Sequence, residues 1–171
     1  LKSGHRVFAY MENKENQRLK KNKSKVIKNY FKKVKKIEKK IFKYINLNKF
    51  KDKAKIENIK YNSLNNIKIK SNTFFKSDAY IVFGSSIIRG KILKFLNKKF
   101  CINIHLGISP YYRGSNCNFW ACVHRKFEYV GATIHKLTKD LDGGPIIYHC
   151  LPKFNQNPMV FSMNAVKSAC I

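Results

Sequence analysis

Two apolar runs separated by one short helical stretch limit what this chain can fold into more than any other feature. Residues 79–83 (AYIVF) form a continuous apolar run that stops at Gly84-Ser85-Ser86, and residues 100–105 (FCINIH) form a second. Uninterrupted runs of this length suit parallel strands buried on both faces. Residues 90–97 between them read as a helix. The order is therefore β-α-β, which implies a parallel pair joined by a right-handed crossover. Ligands of open α/β sheets bind beyond the carboxyl ends of such strands. The fold class is α/β, and residues 84–88 and 103–107 share one rim.

The second run carries chemistry of its own. Side chains two apart on a strand share a face, so Asn103 and His105 project together, with Ile102, Ile104 and Leu106 opposite. An amide donates hydrogen bonds, and an imidazole exchanges a proton near neutral pH. Taken alone, the pair fits equally well a strand end whose polar residues meet water. A later stretch, residues 130–150 (VGATIHKLTKDLDGGPIIYHC), changes the balance. It reads as a strand ending in Thr133-Ile134-His135, a loop through Asp140, Leu141, Asp142, Gly143, Gly144 and Pro145, and a further strand.

Asn-x-His followed by Asp-Gly-Gly-Pro resembles the catalytic domain of the folate-dependent formyltransferases. That family includes the glycinamide ribonucleotide, methionyl-tRNA and sugar N-formyltransferases. The resemblance is concentrated in residues 78–151. It implies a Rossmann-like domain with a mostly parallel central sheet, a formyl donor, 10-formyltetrahydrofolate, and three catalytic residues, Asn103, His105 and Asp142. It also implies that the backbone of Ser86, Ile87 and Ile88, and of Thr138, Lys139, Asp140 and Leu141, embraces the pterin ring. His135 then lies beside the catalytic aspartate and acts on it. By itself, Asp140 reads as a loop carboxylate in water.

Formyl transfer to an amine is acyl transfer through a tetrahedral intermediate whose oxygen becomes negative. It needs donors aimed at that oxygen and a group to remove the amine's proton. Asn103 and a protonated His105 would be the donors, with Asp142 holding His105 as a cation and relaying the proton. The chain departs from the family where Leu106-Gly107 replaces Pro-Ser and Ile108-Ser109-Pro110 replaces Leu-Leu-Pro. Tyr112-Arg113-Gly114 is typical of the transfer-RNA and sugar branches. The acceptor expected is a small-molecule amine, the amino group of a nucleotide-linked sugar. Glycinamide ribonucleotide, methionyl-tRNA, or hydrolysis of the donor to formate are the alternatives.

The net charge of +27 would by itself suggest a nucleic-acid binder. It arises from 31 Lys against 5 Arg, alongside 18 Asn and 19 Ile, the profile of an AT-rich coding sequence. Residues 1–100 carry +23 and residues 101–171 only +4, so the excess lies away from the Asn103–Asp142 stretch. Solvated lysine faces explain this better than a polyanionic partner. Residues 24–47 make the point: Val26, Tyr30, Val34, Ile37, Ile41 and Ile45 recur at helical spacing, and the other face is nearly all lysine. The expected helix starts at Ser24, docks its stripe on a sheet and leaves its lysines in water. A nucleic-acid or membrane surface is the alternative partner of this basic segment, which spans about residues 18–60.

Elsewhere, residues 6–11 read as a strand after the tail of a helix at 1–3, and 57–61 as a short strand. Residues 115–124 read as a helix capped by Ser115, with Trp120 in the core. Residues 159–171 read as a last helix, with Val160, Met163 and Val166 along one side. The five scattered cysteines match no usual zinc spacing, and no structural metal is expected. No apolar run is long enough to span a bilayer. The chain is expected to be one cytoplasmic domain over 1–171, truncated at the N-terminus and at the C-terminus, with the family's first strand and following loop upstream of Leu1.

Overall fold

The computed structural model describes residues 5–13, 25–42, 54–69 and 73–170. In chain order its elements are β1 (Val7–Asn13), α1 (Lys25–Phe42), β2 (Ala54–Lys60), β3 (Ala79–Phe83), α2 (Gly90–Leu96), β4 (Phe100–His105), α3 (Cys117–Val123), β5 (Ala132–Lys136), β6 (Ile146–Cys150) and α4 (Pro158–Ser168). The helix tail expected at 1–3, the cap at Ser24 and the stripe beyond Phe42 lie outside the described residues. The strand expected at 57–61 is longer and begins at Ala54. No helix among the described residues is long and apolar enough to cross a membrane.

The fold is α/β and partly parallel. β3 and β4 lie side by side and parallel, with Val82 opposite Asn103, as the β-α-β order requires. β5 and β6 complete a four-stranded sheet in the order β3-β4-β5-β6, each antiparallel to its predecessor. For β5 and β6 the cause is length: the connection over residues 137–145 is too short for the crossover that parallel strands need. β1 and β2 form a separate parallel pair.

Register divides the main sheet into two faces. Val82, Asn103 and His135 form a row on one, and Phe83, Ile104, Ile134 and Tyr148 a row on the other. The first face is packed on a core of Phe75, Tyr80, Ile92, Leu96 and Cys101. The second is covered only in part. α3 and α4 close over the start of β5 around Ala121, Val130 and Phe161, while Ile81 and Phe83 are 68% and 46% exposed. The expectation that residues 79–83 are buried on both faces is therefore corrected among the described residues. β3 is an outer strand of the four, with a helix packed on one side only.

Three smaller expectations also change. Among the described residues the main packing partner of α1 is α4, where a sheet was expected: Val34 and Ile37 line a cavity of about 620 Å³ together with Met159, Met163 and Val166. Helical periodicity gives an apolar ridge, and such a ridge fits the grooves of another helix as well as it fits a sheet. α3 begins at Cys117, and Asn116, not Ser115, holds the preceding position at φ 60°. Asn enters that left-handed region more readily than Ser. Trp120 is 49% exposed, because α3 buries Cys117, Asn118 and Ala121 and the tryptophan falls off that face. In α4 the fully buried residues are Phe161 and Ala165, and Asn157 caps the helix by accepting from the N–H groups of Met159 and Val160.

The β5–β6 connection is fitted closely to the strand it leaves. Lys136 N donates to Pro145 O at 2.9 Å, and a Cβ at Gly144 would collide with the carbonyl oxygen of Lys136. Backbone cannot yield there as a flexible side chain can. Gly144→Ala is expected to lower unfolding stability by at least about 2 kcal/mol, read as a fall in the urea midpoint at constant slope. An unchanged midpoint would show that the loop is looser than drawn.

Candidate active site

β4 and β5 supply the floor of the site. Asn103 pairs with His135 and His105 with Thr133 across the antiparallel ladder, so four polar side chains share the packed face. The loop after β5 then turns back and lays Asp142 over them. Asp142 itself has φ 46°, which an aspartate tolerates better than most residues.

The Asp142 carboxylate is the hub. Oδ1 accepts from Asn103 Nδ2 at 3.0 Å. Oδ2 accepts from Gly114 N at 2.9 Å and lies 3.1 Å from His105 Nδ1. His105 Nε2 donates to the carbonyl of Tyr112 at 2.8 Å. Both neighbours of this ring are acceptors, so it satisfies both only with a hydrogen on each nitrogen. Asn103 Nδ2 is also 3.0 Å from His135 Nε2, and His135 Nδ1 is 2.9 Å from the carbonyl of Lys136. A carbonyl only accepts, so His135 carries its hydrogen on Nδ1 and takes one from Asn103 at Nε2. Both amide hydrogens of Asn103 are thereby engaged.

Electrostatics follow from this packing. For Asp142, burial acts to raise the pKa, but His135, the Gly114 N–H and the charge of His105 overcome it and leave the carboxyl below its ordinary value. For His135, burial acts to lower the pKa, but Asp142 and the Lys136 carbonyl outweigh it and leave the ring above its ordinary value. The nearest Asp142 oxygen is 3.7 Å from Nε2, so the carboxylate acts on this ring as a charge. Cys117, close by, has its thiol pushed up to about 11, by burial first and by Asp142 second. It stays protonated and is no nucleophile. All five cysteines are free.

The structure thus brings Asn103, His105, His135 and Asp142 together. It sets residues 86–88 and 138–141, expected to embrace the pterin, just beyond the ends of β3 and β5, where Ile88 and Leu137 pack on one core cluster. Ser86 N and Oγ donate to the carboxylate of Glu12 at 2.6 and 2.7 Å, and Ile87 O accepts from Asn65 Nδ2 at 2.8 Å. Those backbone groups are spent inside the protein. Ile87 and Leu141 are 70% and 60% exposed, while Lys139 and Asp140 are exposed and Thr138 is half-buried with its hydroxyl on Asp140 O.

Sequence reasoning passed over several parts of this site. The Tyr112 carbonyl and the Gly114 N–H are backbone groups without a residue-type signal. Thr133 Oγ1 donates to Gly107 O at 2.6 Å and accepts from Ser109 N at 3.0 Å, while Ser109 Oγ donates to Asp142 O at 3.1 Å. Thr133 sits two residues before His135, so the strand period could have found it. Gly107 has a reason too: a Cβ there would lie 2.6 Å from His105 Nε2 and 2.5 Å from Cys117 Cβ. The absence of a side chain at Gly107 is what this placement of the histidine ring needs.

The description of the formyl transferase family matches residues 3–157, most of the chain. The chain belongs to the formyl transferase family. Among curated proteins it is 35% identical over 77 residues to methionyl-tRNA formyltransferase of Wigglesworthia glossinidia brevipalpis, covering 43% of this chain and 23% of that protein. It is 31% identical over 78 residues to GDP-perosamine N-formyltransferase of Brucella melitensis, covering 46% and 29%. The chain thus spans roughly a quarter of the length of the curated relatives it matches. Among solved structures, a formyltransferase from Anoxybacillus kamchatkensis, in complex with a UDP-linked formamido sugar and tetrahydrofolate, superposes with a TM-score of 0.53. It is 20% identical and covers 70% of this chain and 61% of its own, a likeness of fold.

In this formyl transferase chain the raised pKa of His135 depends on Asp142. Asp142→Asn removes the charge that raises it and leaves the burial that lowers it. The protonated ring is favoured by the fold below the ordinary imidazole value, and that contribution fades as pH rises through the raised one. In the variant, the His135 ring is expected to titrate at lower pH, followed by NMR of its ring signals. A midpoint that does not move would show that Asp142 has no hold on this histidine.

Proposed function

We propose that the intact protein transfers a formyl group from 10-formyltetrahydrofolate to the amino group of a nucleotide-linked sugar, in the cytoplasm. One observation carries the reading: in a chain of the formyl transferase family, Asn103, His105 and Asp142 converge at the carboxyl end of β4. The two loops beside them suit the donor. Ile87 and Leu141 offer exposed apolar side chains at the ends of β3 and β5, against which a flat heteroaromatic ring can lie, with the backbone of Ile88 and of 138–141 at its edges. When bound there, 10-formyltetrahydrofolate supplies an electrophilic formyl carbon.

The protein's own groups divide the remaining work. Asn103 and His105 are N–H donors at the rim, suited to an oxygen on which negative charge develops. Each reaches that oxygen by redirecting a hydrogen: Asn103 one that it gives to Asp142 or His135, and His105 the one that Nε2 gives to the carbonyl of Tyr112. Asp142, ionised and held below the ordinary carboxylate value, keeps the His105 ring oriented and is the acceptor for the amine's proton. The near-complete burial of His105 keeps water away from the donor pair, which strengthens each bond to a developing charge.

The sugar acceptor is supported by the Brucella relative, while Tyr112-Arg113-Gly114, typical of the transfer-RNA and sugar branches alike, speaks only against the purine acceptor. The methionyl-tRNA relative, of similar identity, supports the rival acceptor. The test is a parallel assay of the intact enzyme with 10-formyltetrahydrofolate and each of three acceptors: amino-sugar nucleotides, glycinamide ribonucleotide and charged initiator tRNA. Preferential turnover of an amino-sugar nucleotide is expected. Preference for tRNA or the ribonucleotide would overturn the acceptor, and formate release without any acceptor would overturn the transfer itself. With the preferred acceptor, Asn103→Ala is expected to cost about 10²- to 10³-fold in kcat.

A further inference from the structure

Arg113 stands inside the site without a task. It follows Tyr112, whose carbonyl takes the His105 bond, and precedes Gly114, whose N–H holds Asp142. Its guanidinium lies over Gly143: a Cβ there would meet Nη1 at 3.3 Å and Cζ at 3.7 Å. The charge is close enough to His135 to act on it, in the lowering direction. Among the described residues no carboxylate oxygen lies within 4.0 Å of it. Asp142 spends its oxygens on Asn103, Gly114 and His105. Asp140, its neighbour across Gly143, forms no ion pair with it. An exposed guanidinium at the mouth of a reaction site, unpaired, is a planar fork of donors that fits phosphate oxygens.

We propose that Arg113 is the acceptor-positioning residue, gripping a phosphate of the acceptor and so holding its amine against Asn103 and His105. This rests on the reading above insofar as the acceptor carries phosphate, a chemistry that a nucleotide sugar, a phosphate monoester and an RNA backbone share. Gly143, over which the guanidinium lies, is the residue next to Asp142, so the grip sits beside the reacting groups. The bare α-carbon of Gly143 gives the guanidinium its seat.

The experiment compares the intact wild-type enzyme with Arg113→Ala and Arg113→Lys. Arg113→Ala is expected to raise the acceptor KM about ten- to a hundred-fold, the worth of a charge-assisted contact. Donor KM and kcat should stay within about twofold, the pattern of lost uniform binding. Arg113→Lys should restore part of the loss, since it keeps the charge and lacks the fork. Calorimetric titration with inorganic pyrophosphate and with UDP, each alone, should show weaker binding to Arg113→Ala than to wild type. A rise in donor KM instead would assign Arg113 to the folate and overturn the proposal. Unchanged acceptor KM, or a fall in kcat alone, would overturn it as well. If amino-sugar nucleotides are not turned over but pyrophosphate binding is lost in Arg113→Ala, the sugar reading fails and the phosphate grip stands. If tRNA is the substrate whose KM rises, the phosphate is that of RNA.

Discussion

A largely buried carboxylate must be compensated or it will take up a proton, and the site is arranged around doing this for Asp142. Two strands and one loop contribute four contacts: Asn103 and His105 from β4, His135 from β5, and the Gly114 N–H from the loop after β4. The balance depends on geometry. Ser109, whose hydroxyl reaches the Asp142 carbonyl, and Thr133, which ties Gly107 and Ser109 together, hold the loops to the strands. The result is a charged group pinned on several sides with its neighbours' hydrogens already directed.

The same requirement explains what could be read from the chain and what could not. A strand's strict period of two put Asn103 and His105 on one face, and the β-α-β order put them at a rim. What joined Asp142 to them was the resemblance to the formyltransferases, carried by the two glycines after it, one of which has no room for a side chain. By contrast, the Glu12–Ser86 contact joins residues 74 apart in the chain, and nothing local in either residue announces it. The docking of α1 on α4 was invisible for a different reason. Periodicity specifies a face, and the partner of that face is chosen by the whole fold. Trp120 shows the limit of composition: a large aromatic ring tends inward, but its place on α3 is set by the turn of the helix from Cys117, and there it points out.

The basic half of the chain is a separate matter from the chemistry. Every described lysine of α1 is exposed, and the helix's contacts run through Val34 and Ile37 toward α4. Long hydrated side chains on such a face cost the fold little, so a bias toward lysine can accumulate there. The site contains little of that bias: among Asn103, His105, His135 and Asp142 only Asn103 belongs to the enriched residue types.

That contrast gives the left-handed backbone at Asp142 a further meaning. Aspartate and asparagine codons differ in one base, and the asparagine codon is the AT-richer of the two. Asn also occupies positive φ at least as comfortably as Asp, and this chain accepts it there at Asn62 and Asn116. Mutational pressure and backbone preference therefore both push position 142 toward asparagine, in a chain with 18 of them. An aspartate there supplies the negative charge that acts on His135 and faces His105, which an asparagine of the same shape would not.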